Sequence, residues 1–213
     1  MTDTDKDTTG PVDELDTATR VRVQLESVMG IPFTDGNHVT ALRNGDRIFP
    51  AMLEAIEQAQ HTIEFATYVY WTGNIAQKFA HVMSERARAG LTVRVLLDGF
   101  GAKEIRRELL DMMEEAGVII RWFRPLSSFR IWMVDNRTHR KLLIVDGKIG
   151  FTGGVGIAEE WEGDVRDASE WRDNHYRLTG PAVSRFCVGP SLPTGRKPTY
   201  RLVLKAPNHI DTA

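Results

Sequence analysis

The chain has 213 residues, enough for one domain with a sizeable core, and its balance of 42% hydrophobic to 26% charged residues excludes a disordered or fibrous protein. A net charge of −2 argues against a generally basic nucleic-acid binder, and a single cysteine, Cys187, excludes an internal disulfide and fits a reducing compartment. No stretch approaches the roughly 20 apolar residues of a membrane span, and MTDTDKDTTG has neither the basic start nor the apolar run of a signal peptide. A cytoplasmic protein, peripheral at most to the inner membrane, is expected.

Residues 1–19 carry six acidic side chains against Lys6, with Thr, Gly and Pro between them, and read as a disordered acidic tail. A domain is expected over 20–186. VTALRNGDRIF is expected to open a helix whose stripe is Phe49, Met52, Leu53 and Ile56, with Pro50 in its first turn. TIEFATYVYW predicts a strand with Ile63, Phe65, Thr67, Val69 and Trp71 on one face. A second helix aligns Ile75, Phe79, Val82 and Met83 and stops at Gly90; LTVRVLLDG is a strand. A third helix aligns Ile105, Leu109, Met112 and Ala116 and stops at Gly117; VIIRWF is a further strand. This alternation predicts an α/β fold with a mixed, largely parallel sheet and helices on both faces, present in one copy.

THRKLLIVDGKIGFTGGVGIAEEW, residues 138–161, carries the chemistry. KLLIVD and KIGFTG read as strands joined by a two-residue hairpin at Asp146-Gly147. Alternation puts His139 and Lys141 on one face and Arg140 on the other, so a titratable imidazole sits beside a fixed positive charge. Gly153, Gly154 and Gly156 follow, residues that let a backbone approach a phosphate and turn N–H groups towards it. Asp146, seven positions from His139 and of opposite parity, reads as a hairpin residue that does not touch it.

His139-x-Lys141-x4-Asp146 followed by Gly153-Gly154 resembles the HKD motif of the phospholipase D superfamily. GNHVTALRNGDRIFPAMLEAI, VRVLLDGFG, NRTHRKLLIVDGKIGFTGG and EWRDNHYRLTGPAV together resemble the N-terminal half of cardiolipin synthases, over roughly residues 37–186. The resemblance implies that His139 attacks a phosphodiester and forms a phosphohistidine. It implies that Lys141 binds the phosphate oxygens, and that Asp173 of EWRDNHYRL orients the histidine. No metal or other cofactor is implied, since lysine supplies the positive charge. The implied chemistry is phosphatidyl transfer between anionic glycerophospholipids, with phosphatidylglycerol as donor.

Two departures stand out. Gly156 occupies the place where many members carry a phosphate-binding Asn. There is also one H-x-K motif where such sites use two, the second histidine protonating the leaving oxygen. Either a homodimer or a missing second half must complete the site. Residues 187–213, rich in Pro and Gly, look unlike the family's continuation and suggest truncation or a frameshift in a longer gene. Two other readings stay open: a homodimeric phosphodiesterase acting on nucleic acid, and an inactive fragment.

The remaining signals read more plainly. His175 is a candidate second site residue, with a hydrogen-bonded histidine on a half-buried strand as the commoner reading, and His38, His61, His81 and His209 are expected to be surface residues. Asp98 is expected to form a turn before Gly99. Gly153-Gly154-Val155-Gly156 lacks the third glycine of a dinucleotide loop, having Glu159 there. Arg121, Arg124, Arg130, Arg137, Arg140, Lys141 and Lys148 make a local basic excess suited to anionic headgroups or a nucleic-acid backbone. Phe129, Ile131, Trp132 and Met133 among them suggest either a bilayer-touching loop or packing against the core.

Overall fold

The computed structural model describes residues 16–30, 32–125 and 137–186. Residues 1–15 of the expected tail, the Phe129–Met133 stretch and residues 187–213 with Cys187 lie outside them. The chain divides into two units, Met1–Asp35 and Gly36–Ala213.

In the first unit, helix α1 spans Thr17–Met29, so residues 17–19 of the expected tail are helical. Its start is fixed by Asp16, whose carboxylate accepts the Ala18 and Thr19 N–H groups, and its end by Gly30 in the left-handed region at φ 64°. Arg22 ties the helix to Asp35 at 3.0 Å.

The second unit is built on one seven-stranded sheet in the order β1-β7-β6-β5-β2-β3-β4. Its strands are β1 (His38–Arg43), β2 (Thr62–Thr67), β3 (Thr92–Asp98), β4 (Ile119–Phe123), β5 (Leu142–Val145), β6 (Ile149–Gly153) and β7 (Asn174–Thr179). Between them lie α2 (Asn44–Glu57), α3 (Asn74–Arg88) and α4 (Arg107–Glu115). The mixed α/β sheet expected from the sequence is present, with a different balance of directions. Only β2–β3 and β3–β4 pair in parallel; the other four pairings are antiparallel. The helical crossovers end at β4. After it, a tight turn at Asp146-Gly147, φ 52° and 63°, reverses the chain, which forces antiparallel pairing.

The helices also gather on one face. Phe49, Met52 and Ile56 of α2, Phe79 and Met83 of α3, and Leu109 and Met113 of α4 share a core with Phe65, Val95, Leu143 and Phe151. The opposite face carries a smaller cluster of Ala66, Leu142 and Ile144 under Val183, in a short 3₁₀ turn over Pro181–Arg185. Among the described residues of this unit, helices on both faces are therefore replaced by three helices on one. Side-chain period reveals that a helix has a buried stripe, not which side of a sheet receives it.

Two elements begin or end elsewhere than the sequence predicts. VTALR is strand β1, paired antiparallel with β7, and the helix starts only at Asn44, whose φ of 55° makes the break. β2 stops at Thr67, whose hydroxyl donates to the Val69 carbonyl at 2.8 Å. Val69 and Trp71 instead clasp Ile157 through backbone bonds of 3.0 and 2.8 Å, and Tyr70 is fully buried.

Candidate active site

All seven strands present one common end: the last residues of β1, β2, β3, β4 and β6 and the first of β5 and β7. For the parallel strands this is the carboxyl end, where α/β sheets place their ligands. His139 and Lys141 lie there, just before β5, adjacent as the alternation predicts. Lys141 Nζ is 3.1 Å from Nδ1 and 3.3 Å from Nε2 of His139. The imidazole is exposed while the lysine is buried. Tyr68, in the turn after β2, packs against both: its ring centroid is 4.7 Å from that of His139 and 5.7 Å from Nζ. Partial burial, reinforced by the Lys141 charge and opposed by Asp98, holds His139 below the ordinary imidazole range. Burial likewise lowers Lys141, against the favourable charge of Asp173.

Asp173, on the approach to β7, accepts hydrogen bonds from Trp161 Nε1 at 3.3 Å and from the Asn174 N–H at 2.7 Å. Its carboxylate acts electrostatically on Lys141, whereas both His139 ring nitrogens contact Lys141 Nζ. The expected pairing of Asp173 with His139 is therefore not among the hydrogen bonds of the described residues, and Asp173 stands as a counter-charge to the lysine.

The double glycine has a geometric reason. A Cβ on Gly154 would collide with the Asp173 carboxylate, and one on Gly153 would lie 2.6 Å from Nδ1 of His175. The Gly154 N–H donates to the Asn174 carbonyl at 3.2 Å. Gly153 and Gly154, expected to cradle phosphate, thus make room for the Asp-x-His of β7. Gly156 is similarly enclosed: a Cβ there would stand 2.6 Å from Val69 Cβ. The Asn common at this place has no room here.

Asp146 sits in the hairpin turn as expected, and its carboxylate reaches further than the sequence suggests. It accepts the N–H groups of Gln60, His61 and Thr62 at 2.8–2.9 Å, pinning the start of β2, at the end of the sheet away from His139. Asp98 closes a turn by accepting from Phe100 and Gly101 at 2.9 and 3.1 Å. It also faces Arg137 at 3.6 Å, fully buried itself. Arg137 in turn donates to the Arg124 carbonyl at 2.7 Å and lies over Phe100. Sequence reasoning did not single out Tyr68 or pair Arg137 with Asp98. Arg137 shares the parity of His139 two residues on, which was the available signal; Tyr68 offered none.

His175 differs from expectation. It is 1% exposed, and among the described residues neither ring nitrogen has a hydrogen-bond partner. His38, His61 and His81 are exposed as expected, and His209 lies outside the described residues. No group of three or more His, Cys, Asp or Glu side chains among the described residues could hold a metal ion.

The family described as "Cardiolipin synthase, PLD-like domain" matches residues 52–160, the stretch that contains His139, Lys141 and both glycines. This chain belongs to that family. Cardiolipin synthase 1 of Bacillus cereus is 40% identical over 163 residues, 76% of this chain and 32% of that protein. The major cardiolipin synthase ClsA of Bacillus subtilis is 30% identical over 179 residues, 84% of this chain and 37% of that protein. The chain thus spans about a third of the length of the curated cardiolipin synthases it matches. The fold of this PLD-like domain is also that of NucT from Helicobacter pylori, at 12% identity and a TM-score of 0.52 over 67% of this chain and 86% of that one.

Proposed function

We propose that the chain supplies one catalytic half of a phosphatidyl-transferring site acting on anionic glycerophospholipids. The observation that carries this reading is the contact of Lys141 Nζ with His139 at the common end of the sheet, 3.1 Å from Nδ1. A neutral, exposed imidazole nitrogen attacks the phosphorus of a phospholipid phosphodiester. The bond from phosphorus to the leaving alcohol breaks, and a P–N bond to His139 forms. Lys141 neutralises charge on the non-bridging oxygens as the pentavalent transition state develops. The acceptor hydroxyl then attacks phosphorus, gives up its proton, and displaces His139. By resemblance, phosphatidylglycerol is the donor.

The leaving oxygen needs a proton, and the sequence holds a single H-x-K motif. A second histidine from another copy of this chain, or from a further half comparable to the rest of its longer relatives, supplies it in this reading. In this reading contact with the substrate is peripheral; among the described residues no helix is long and apolar enough to cross a membrane.

The test is to incubate the purified chain with phosphatidylglycerol vesicles labelled in the phosphate and to look for acid-labile, base-stable label on protein. Label on the native chain and none on His139→Ala is expected. Label that persists in His139→Ala, or hydrolysis of DNA with no lipid turnover, would replace the reading with another.

A further inference from the structure

His175 is a buried polar group in a strand flanked by β1 and β6. Leaving such a group without a partner is costly, and among the described residues neither of its nitrogens has one. The registers explain what it faces. Gly153 pairs with His175, and Leu142 pairs with Thr152, so Lys141 stands opposite Gly153 one step along. Lys141, Gly153 and His175 therefore form a row across three strands, with no side chain in the middle position. The His175 ring leans into that gap, which a Cβ on Gly153 would close.

The other end of the row poses a chemical difficulty. Lys141 Nζ contacts both ring nitrogens of His139. Whichever tautomer is present, one of those nitrogens carries the lone pair that must reach phosphorus. An ammonium donating to it masks the nucleophile, so Lys141 has to turn away before attack. An ammonium has three protons to place; the phosphate oxygens take some, and a buried acceptor is needed for another.

We propose that His175 is a positioning residue for Lys141: its ring is the acceptor to which Nζ turns when it leaves His139 for a bound phosphate. A neutral imidazole can accept this bond and a protonated one cannot. Burial, helped by the Lys141 charge and opposed by Asp173, pushes His175 down to about 4, which keeps it an acceptor at neutral pH. The double glycine, the lysine and the Asp-x-His of β7 then act as one device that frees the nucleophile only when an anion is present. This rests on the reading of His139 as the attacking group.

The experiment is nitrogen-15 NMR of the imidazole rings, with tungstate as the phosphate mimic. The His175 signal is assigned by its loss in His175→Gln. In the native chain, tungstate should shift the His139 nitrogens and move the unprotonated nitrogen of His175 to a hydrogen-bonded position. In Lys141→Met, with its backbone amides unchanged, the His175 shift should be lost. If His139 responds and His175 does not, or if His175 still shifts in Lys141→Met, the inference falls and the proposed function survives. If neither histidine responds, the phosphate-site reading falls and takes the inference with it.

Discussion

At the scale of single residues, the proposed function divides the work of nucleophile and charge between the exposed His139 ring and the buried Lys141 ammonium, and both titrate below their ordinary ranges. In that proposal His139 attacks only when neutral, so turnover is expected to fall as pH drops through its value, which lies below 6.5. Lys141 must stay protonated, so turnover also falls as pH rises through a value below 10.5. A pH profile of kcat/KM is expected to show both limbs, and Lys141→Arg to lose the alkaline one while lowering the rate. His175 governs stability in a different window. Its folded value of about 4 lies below the unfolded 6.5, so the unfolded chain binds the extra proton. Its effect is absent above pH 7, and stability drains away as pH falls from 6.5 towards 4. Urea unfolding at pH 7 and 4.5 should differ less for His175→Gln than for the native chain. Restoring the family's amide by Gly156→Asn should cost about 1–3 kcal/mol by collision with Val69, read from thermal unfolding, with no gain in tungstate affinity.

At the scale of elements, Asp146 connects the β5–β6 hairpin to the start of β2 through three backbone N–H groups. Burial alone would raise its carboxyl, but those donors outweigh it and hold the group below the ordinary carboxylate range. Its contribution is present above the unfolded value and lost as pH falls through the lower folded one. Asp146→Asn keeps a residue tolerant of the left-handed turn and should cost about 1–2 kcal/mol in denaturant unfolding at pH 7. The hairpin itself was legible, because Asp-Gly between two β-branched runs has few other conformations. The β2-α3-β3-α4-β4 alternation was legible for the same kind of reason: period two and period 3.6 are distinct signals. β1 was not, since Val39, Ala41 and Leu42 fit a helical run equally well and Asn44 gave no local warning of its positive φ. The end of β2 was hidden because Val69 and Trp71 keep the strand's alternation while binding Ile157 instead. At the site, parity sufficed to join His139 to Lys141. The isolation of His175 depends on what three strands leave empty, which no single segment records.

At the scale of the whole molecule, the question is how one H-x-K motif becomes a complete site. In the proposed reading two histidines face each other across a two-fold axis or across two halves. Light scattering of the purified chain should give the mass of a dimer if copies of this chain complete one another. A monomer that takes up no phosphate label would place the missing histidine in a separate length of chain. That outcome would agree with relatives about three times as long.

The guanidinium of Arg137 has a consequence for how the approach to His139 is held. It grips the Arg124 carbonyl on one side and faces Asp98 on the other, so residues 124 and 137 are moored at one post. Arg137, two residues before His139, thereby fixes the approach to the motif at the carboxyl end of β3. Arg137→Ala should slip that mooring, so that the His139–Lys141 contact loosens while the sheet itself stays folded.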